Sequence, residues 1–110
     1  MNTLTLPEHP TLADFQRYVE QMEHERGFSD ETILHSFMLL VEEVGELAKC
    51  IRKDDDIMRM DANKQHDDNA AHEVSDVFSL LLSIANRLGV DIEQAFRDKE
   101  AINSTRTWTN

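Results

Sequence analysis

The stretch LLVEEVGELAKC, residues 39–50, repeats apolar side chains at the spacing of an amphipathic α-helix. At roughly 100° per residue, the apolar stripe of this helix centres near Val44, and Glu43 and Glu46 lie roughly 90° and 150° from that centre. The flank with both glutamates also carries two apolar side chains, Leu39 and Cys50. We therefore interpret this flank as something other than a plain solvated face.

A second predicted helix repeats the arrangement in the segment HEVSD, residues 72–76. Glu73 borders its apolar stripe, and Asp76 follows three residues on, which makes the two charges neighbours on a helix. If the acidic flanks of both helices meet, the four carboxylates around that space must bind protons or a cation. No histidine stands three residues after a glutamate, which argues against a di-iron site and favours an all-carboxylate Mg²⁺ or Mn²⁺ site. The alternative is that these acids are ordinary solvated charges.

Capping residues and glycines divide the chain into four predicted helices. The candidate N-caps are Thr11, Ser29 or Asp30, Asp68 or Asn69, and Asp91. Gly27 and Gly89 each follow a periodic stretch, where a glycine commonly ends a helix. We expect a loop over residues 54–68, with a short turn around residues 57–60, and a fraying tail over residues 104–110. The predicted fold class is all-α, with residues 1–110 forming a single four-helix bundle domain.

Composition excludes several classes of function. The 110 residues carry a formal net charge of −11, which repels nucleic-acid phosphates and anionic membrane surfaces, so we predict neither as a partner. Cys50 is the single cysteine, which excludes an intrachain disulfide and a cysteine-based zinc site. The first ten residues lack the features of a signal peptide, and no apolar run approaches the ~18 residues of a membrane helix. We therefore expect a cytoplasmic protein.

The predicted helices carry more apolar positions than one bundle core requires. Three of these residues lie away from the main stripes: Phe28, Met38 and Leu82. Because large exposed apolar patches usually mark interfaces, the sequence predicts self-association.

Two acidic motifs stand in order along the chain, EExxE at residues 42–46 and ExxD at residues 73–76, each within an apolar frame. A third set follows, formed by Lys99, Asn103 and Arg106. Together these motifs resemble those of the MazG-like nucleotide pyrophosphohydrolases, in the all-α nucleoside triphosphate pyrophosphatase superfamily. The resemblance covers most of the chain.

This resemblance implies hydrolysis of a nucleoside or deoxynucleoside triphosphate to a monophosphate and pyrophosphate, with Mg²⁺ as the cofactor and Mn²⁺ as a substitute. It also implies a helical bundle that assembles as a homodimer or as a homotetramer built from two dimers. The implied metal ligands are Glu43, Glu46, Glu73 and Asp76. The implied role of Glu42 is to bind a second metal, or to act as the catalytic residue that orients and deprotonates the attacking water.

The resemblance further implies that Lys99, Asn103 and Arg106 bind the triphosphate. Their i, i+4, i+7 spacing places them on one helix face, and a guanidinium fork suits spread phosphate charge. The alternative interpretation of the two cations is that they favour a helix C-terminus through its dipole.

The long segment between the two acidic motifs resembles the single-domain, dCTP-pyrophosphatase-like branch, which implies a preference for deoxynucleotides and a role in nucleotide pool house-cleaning. Side chains able to stack on or hydrogen-bond a base are Phe15, Tyr18, Phe37, Asn86 and Trp108. The competing hypothesis is a non-catalytic helical protein-interaction module with a solvated acidic face.

Overall fold

A computed structural model of the chain describes residues 4–53 and 69–109. Within those ranges the chain forms four α-helices and no strand, which confirms the predicted all-α class. The helices are α1 (Leu12–Arg26), α2 (Ile33–Lys53), α3 (Ala70–Leu88) and α4 (Ile92–Asn103). The loop predicted over residues 54–68, its turn and the alternative cap at Asp68 lie outside the described residues.

Helix α1 begins and ends where the sequence predicts. The Thr11 hydroxyl accepts a hydrogen bond from the Asp14 N–H (3.1 Å), and the Asp14 carboxylate accepts one from the Thr11 N–H (2.9 Å). These two bonds form a capping box, and the bond from the Thr11 backbone is the main reason that the pKa of Asp14 lies below its ordinary value. At the other end, Gly27 adopts φ = 80°, a left-handed conformation that favours glycine.

The predicted cap of α2 at Ser29 or Asp30 is wrong, because the helix begins at Ile33 and Thr32 caps it. The Thr32 hydroxyl accepts from the His35 N–H (3.2 Å), and the Thr32 N–H donates to His35 Nδ1 (3.3 Å). A histidine ring therefore takes the place that glutamate or glutamine occupies in the usual capping box. Because histidine is not the usual reciprocal acceptor, the sequence pattern does not distinguish Thr32 from the earlier polar residues Ser29 and Asp30 as the cap.

The caps of α3 and α4 follow the predicted positions. Asn69 Oδ1 accepts from the His72 N–H (3.1 Å), and Asp91 Oδ1 accepts from the Gln94 N–H (3.0 Å). The side-chain amide of Gln94 donates to Asp98 Oδ1 (2.9 Å). Gly89, with φ = 70°, separates the two helices.

The chain divides into two compact units. We call Met1–Asp30 with Leu82–Asn110 the terminal unit, and Glu31–Leu81 the central unit. None of the described helices combines the length and the apolar character needed to span a membrane.

In the terminal unit, the Gln16 side chain ties α1 to the turn between α3 and α4. Its Nε2 donates to Asn86 Oδ1 (3.0 Å) and to the Val90 carbonyl (2.8 Å), and its Oε1 accepts from the Ile92 N–H (3.0 Å). Asn86 Nδ2 returns a bond to the Gln16 carbonyl (2.8 Å). We call this set of four bonds the Gln16 clasp.

A charged group lies at the other end of α1 in the same unit. Arg87 donates to the Glu23 carboxylate and to the Phe28 carbonyl (3.0 Å), and both side chains of the ion pair are largely buried. Hydrogen bonds to the ionised groups offset the cost of burying them. The pair thus joins the C-terminal turns of α1 and α3.

In the central unit, the buried line of α2 differs from the predicted one. Side chains that are buried or half-buried recur at alternating spacings of four and three: Ser36, Leu40, Glu43, Leu47 and Cys50. Leu40 and Leu47 belong to the predicted stripe and are half-buried, but the centre of that stripe remains exposed in the single chain, with Val44 at 48% and Val41 at 56%. The side of α2 that faces the acids of α3 carries Glu43, and Val44 lies roughly 100° further round the helix. Cys50 is 6% exposed.

The Gln16 clasp predicts a specific loss of stability in Gln16→Ala. Without the amide, the Ile92 N–H and Asn86 Oδ1 lose their side-chain partner in a part-buried setting, so we expect the free energy of unfolding to fall by about 1–3 kcal/mol. Urea denaturation followed by circular dichroism measures this quantity. The matched control is Gln21→Ala, an exposed position on the same helix, for which we expect a change within about 0.5 kcal/mol. Equal losses in the two variants would contradict a role for the clasp.

Candidate metal centre

Three carboxyl groups of the central unit converge on one space. Glu43 comes from α2, and Glu73 and Asp76 come from adjacent turns of α3. One oxygen from each lies within 4.8 Å of the others. We call this set the three-acid cluster.

Glu73 is the buried member of the three-acid cluster. It is 6% exposed, and its Oε2 is a buried acceptor without a hydrogen-bond partner among the described residues. Burying a carboxylate is costly unless hydrogen bonds or an opposite charge compensate it. Such a position is unfavourable for an ordinary solvated acid, whereas a cation compensates a buried carboxylate oxygen.

The acids raise the pKa of Glu43 to about 7. The largest cause is a hydrogen bond between the Glu43 and Glu73 carboxyl groups, which requires a proton on the pair. Partial burial adds to the shift, followed by the negative charges of Asp76, Glu73 and Glu46. The proton on this pair neutralises part of the negative charge of the three acids. A divalent cation would neutralise more of it.

The donor set fits a hard divalent cation. Carboxylate oxygens are the preferred ligands of Mg²⁺ and Mn²⁺. Oxygens that bind opposite sides of one ion lie about 4–5 Å apart, since single ligand distances are about 2.0–2.6 Å. The oxygens of the three-acid cluster all lie within 4.8 Å of one another, inside the largest separation that one ion can span, and the unpartnered Glu73 oxygen supplies a ligand atom.

The two other acids of the EExxE motif lie outside the three-acid cluster. Glu42 is exposed on α2. Glu46 is also exposed, and its Oε1 accepts from Lys49 Nζ at 3.2 Å. Its charge still reaches the cluster, because it contributes to the raised pKa of Glu43. Of the predicted metal ligands, the structure therefore brings three together and leaves Glu46 paired with a lysine.

The predicted phosphate-binding residues belong to the terminal unit. Lys99 lies exposed on α4, and Arg106 lies exposed in the hydrogen-bonded turn that follows it. The prediction that all three residues share one helix face is therefore wrong, because α4 ends at Asn103. Asn103 ends α4, and its Oδ1 is a buried acceptor without a partner among the described residues.

Among the candidates for base recognition, Asn86 uses both amide atoms in the Gln16 clasp. Phe37 and Trp108 are exposed, at 54% and 74%, and Phe15 and Tyr18 are half-buried. The exposed aromatic rings retain the free surface that stacking on a base requires.

Sequence reasoning missed a role for Lys49 beside the acids. A lysine in the last turns of a helix is already accounted for by the favourable interaction of cations with the helix C-terminus. The overlooked signal was the i, i+3 spacing of Glu46 and Lys49, which makes two helical side chains neighbours.

The chain is similar to several known proteins. The family model of the MazG nucleotide pyrophosphohydrolase domain matches residues 28–103. A dATP/dGTP diphosphohydrolase of Cyanophage S-2L is 39% identical over 69 residues, covering 63% of this chain and 51% of that protein. A dATP/dGTP diphosphohydrolase of Salmonella phage PMBT28 is 35% identical over 98 residues, covering 89% of this chain and 28% of that protein. The chain thus spans about half the length of the first relative and less than a third of the second.

Several solved structures are similar to this chain, including one from a cyanophage and one from a Vibrio. A Cyanophage S-2L MazG-like pyrophosphohydrolase, bound to dGDP and three catalytic Mn²⁺ ions per active site, is 31% identical with a TM-score of 0.70. That match covers 92% of this chain and 88% of the other. The iMazG protein from Vibrio DAT 722 is 28% identical with a TM-score of 0.66, covering 86% of this chain and 99% of the other.

The raised pKa of Glu43 predicts how pH affects the metal-free protein. Between pH 4.5 and about 7 the folded state keeps a proton that the unfolded state releases, so stability falls as pH rises through this window and levels off above it. Glu43→Gln cannot release that proton, and we expect its melting temperature to fall less between pH 5 and pH 7.5. Thermal melts in EDTA measure the difference. Parallel pH profiles for the two proteins would contradict the assignment.

Proposed function

This chain belongs to the MazG nucleotide pyrophosphohydrolase domain family, and on that premise we propose that it hydrolyses deoxynucleoside triphosphates to monophosphates and pyrophosphate with Mg²⁺. The observation that carries the proposal is the three-acid cluster, which places the buried and unpartnered Glu73 Oε2 beside Glu43 and Asp76. The Mn²⁺ ions of the related Cyanophage S-2L structure support a divalent cation at such a site. The triphosphate of a nucleotide needs that cation, because the chain itself carries a net charge of −11.

In this proposal, Glu43, Glu73 and Asp76 hold the cation, and Glu46 is the fourth ligand. When bound, divalent cations neutralise phosphate charge and activate water as a nucleophile. Glu42, exposed one residue from the three-acid cluster along α2, orients the attacking water and accepts its proton. Lys99, Asn103 and Arg106 bind the triphosphate; Arg106 supplies a forked donor, and Lys99 supplies a point charge.

We propose purine deoxynucleoside triphosphates as the preferred substrates. Both phage relatives are named for dATP and dGTP, and the related solved structure holds dGDP. A panel of ribonucleotides and deoxynucleotides with all bases, with product identification, tests both the sugar and the base preference. The resemblance to the dCTP-pyrophosphatase-like branch is compatible with the sugar preference alone.

The competing hypothesis of a solvated acidic face does not account for Glu73. An acid on a solvated interaction surface stays hydrated, whereas Glu73 is 6% exposed and hydrogen-bonded to a second carboxyl group. We therefore favour the hypothesis that this chain is an enzyme.

We further propose that the active protein is a homodimer or a homotetramer. Within the central unit, α2 and α3 leave several large apolar side chains open to solvent: Phe37, Val41, Val44, Ile51, Val74 and Leu81, each 48–62% exposed. Extensive exposed apolar surface is typical of protein–protein interfaces. A second copy of the chain buries it in this proposal.

For the catalytic proposal, we expect Asp76→Asn to reduce cation-dependent pyrophosphate release from dATP or dGTP by at least about 100-fold, because a ligand carboxylate is lost. The same variant should melt at a higher temperature in EDTA, since it removes a negative charge that repels the other carboxyl groups of the cluster. A coupled pyrophosphate assay and a thermal melt measure the two effects.

The control for this prediction is Glu20→Gln, which neutralises an exposed acid on α1 and should keep the wild-type rate. The catalytic proposal fails if Asp76→Asn retains wild-type activity, or if the wild-type protein releases no pyrophosphate from any nucleotide with Mg²⁺ or Mn²⁺.

For the assembly proposal, light scattering of the wild-type chain should give a mass that is two or four times 12.7 kDa. Val41→Glu places a charge in the exposed apolar surface and should shift the protein toward monomer, because burying that charge is costly. Val90→Glu makes the same exchange in the terminal unit and should leave the assembly intact. A wild-type mass of one chain would refute the assembly.

A further inference from the structure

We propose that Lys49 is a positioning residue that holds Glu46 outside the three-acid cluster, so that a divalent cation must displace this lysine to gain its fourth carboxylate. The inference rests on the proposed function, because it assumes that the cluster binds a cation. It assigns a role to a residue that neither the acidic motifs nor the phosphate-binding set contains.

The first observation is the ion pair itself. Lys49 Nζ donates to Glu46 Oε1 at 3.2 Å, and the two side chains are 39% and 48% exposed. Because the pair is partly open to solvent, its interaction is weak and it can exchange partners readily. A pair of this strength permits a switch, whereas a fully buried pair would oppose one.

The second observation is the position of Glu46 relative to the cluster. Glu43, Glu73 and Asp76 bring oxygens within 4.8 Å of one another, and Glu46 does not belong to that set. On the helix, Glu46 lies roughly 60° from Glu43, on the charged flank of α2. Glu43 and Glu46 are i, i+3 neighbours on α2, with Cβ atoms about 5–6 Å apart, so a change of rotamer can bring the Glu46 carboxylate toward the cluster.

The third observation is the unbalanced charge in the cluster. Glu73 is nine-tenths buried, with one oxygen unpartnered among the described residues. A fourth carboxylate cannot join three others until a cation reverses the sign of the local charge. Before a cation binds, Lys49 is the better partner for Glu46. After a cation binds, the cation is the better partner. Lys49 then carries a free positive charge beside the site, on the same flank of the helix.

The test measures binding of Mn²⁺ alone to the full chain, by the electron paramagnetic resonance signal of the free ion. Lys49→Met removes the competitor for Glu46, and we expect the Mn²⁺ dissociation constant to fall about three- to fivefold, the range that a partly exposed ion pair allows. Lys49→Arg keeps the pair and should stay within about twofold of the wild-type value.

Two controls separate this role from a general effect of charge. Lys53→Met removes the same charge from an exposed position four residues further along α2, and it should change the dissociation constant less than about twofold. In a Glu46→Gln background, Lys49→Met should lose its effect, because no carboxylate remains to be released. Melting temperatures of all variants in EDTA check that each one folds.

The possible outcomes are distinguishable. Tighter binding by Lys49→Met that depends on Glu46 supports the inference. Unchanged or weaker binding by Lys49→Met overturns it, and so does an equal gain in Lys53→Met or in the Glu46→Gln background. Wild-type binding without a Lys49 effect overturns only this inference. Absence of Mn²⁺ binding to the wild-type chain overturns both this inference and the proposed function.

Discussion

Repulsion among three carboxyl groups is the constraint on which the central unit depends. Glu43, Glu73 and Asp76 approach within 4.8 Å, and Glu73 has given up nearly all of its contact with water. The folded chain meets this constraint with a hydrogen bond between two carboxyl groups, at the cost of keeping a proton near neutral pH. A site that keeps a proton near neutral pH favours a stronger positive charge such as a divalent cation. This preference connects the fold to the proposed chemistry.

The same constraint explains how charged and apolar residues are distributed around the axis of α2. The line through Glu43 faces α3, the glutamates and Lys49 lie on one side of it, and the apolar residues near Val44 lie on the other. The charged flank is suited to a cation and its phosphate ligand. The apolar flank is suited to another protein surface. One helix thereby presents two surfaces of opposite character on either side of its buried line.

The terminal unit is held by polar groups more than by apolar burial. Val19, Leu82 and Ala85 are its buried apolar residues among those described. Around them, the Gln16 clasp and the Arg87–Glu23 pair satisfy backbone and side-chain groups that the turns leave without partners. Residues more than 50 positions apart are joined in both cases, so these bonds depend on the folded arrangement.

The amino-acid sequence by itself determined the all-α class, the caps at Thr11 and Asp91, and the glycine ends of α1 and α3, and it limited the cap of α3 to Asp68 or Asn69. These features depend on local spacing and on backbone conformation, which a short segment carries within itself. The sequence also singled out every member of the three-acid cluster, because two carboxylates beside an apolar stripe are conspicuous on a helix.

Only the tertiary structure decided which side of α2 is buried, because periodicity reports that a helix is amphipathic and leaves open which neighbour covers which side. The centre of the predicted stripe, near Val44, proved exposed, and the line through Glu43, which includes Leu40 and Leu47 of that stripe, proved buried or half-buried. The structure likewise decided that Glu46 pairs with Lys49 while the other three predicted ligands converge, since the choice between partners depends on three-dimensional distances. The tertiary structure also determined the hydrogen-bond partners of Gln16 and Asn86. Their side-chain amides follow no periodic pattern and bond to residues distant in the sequence.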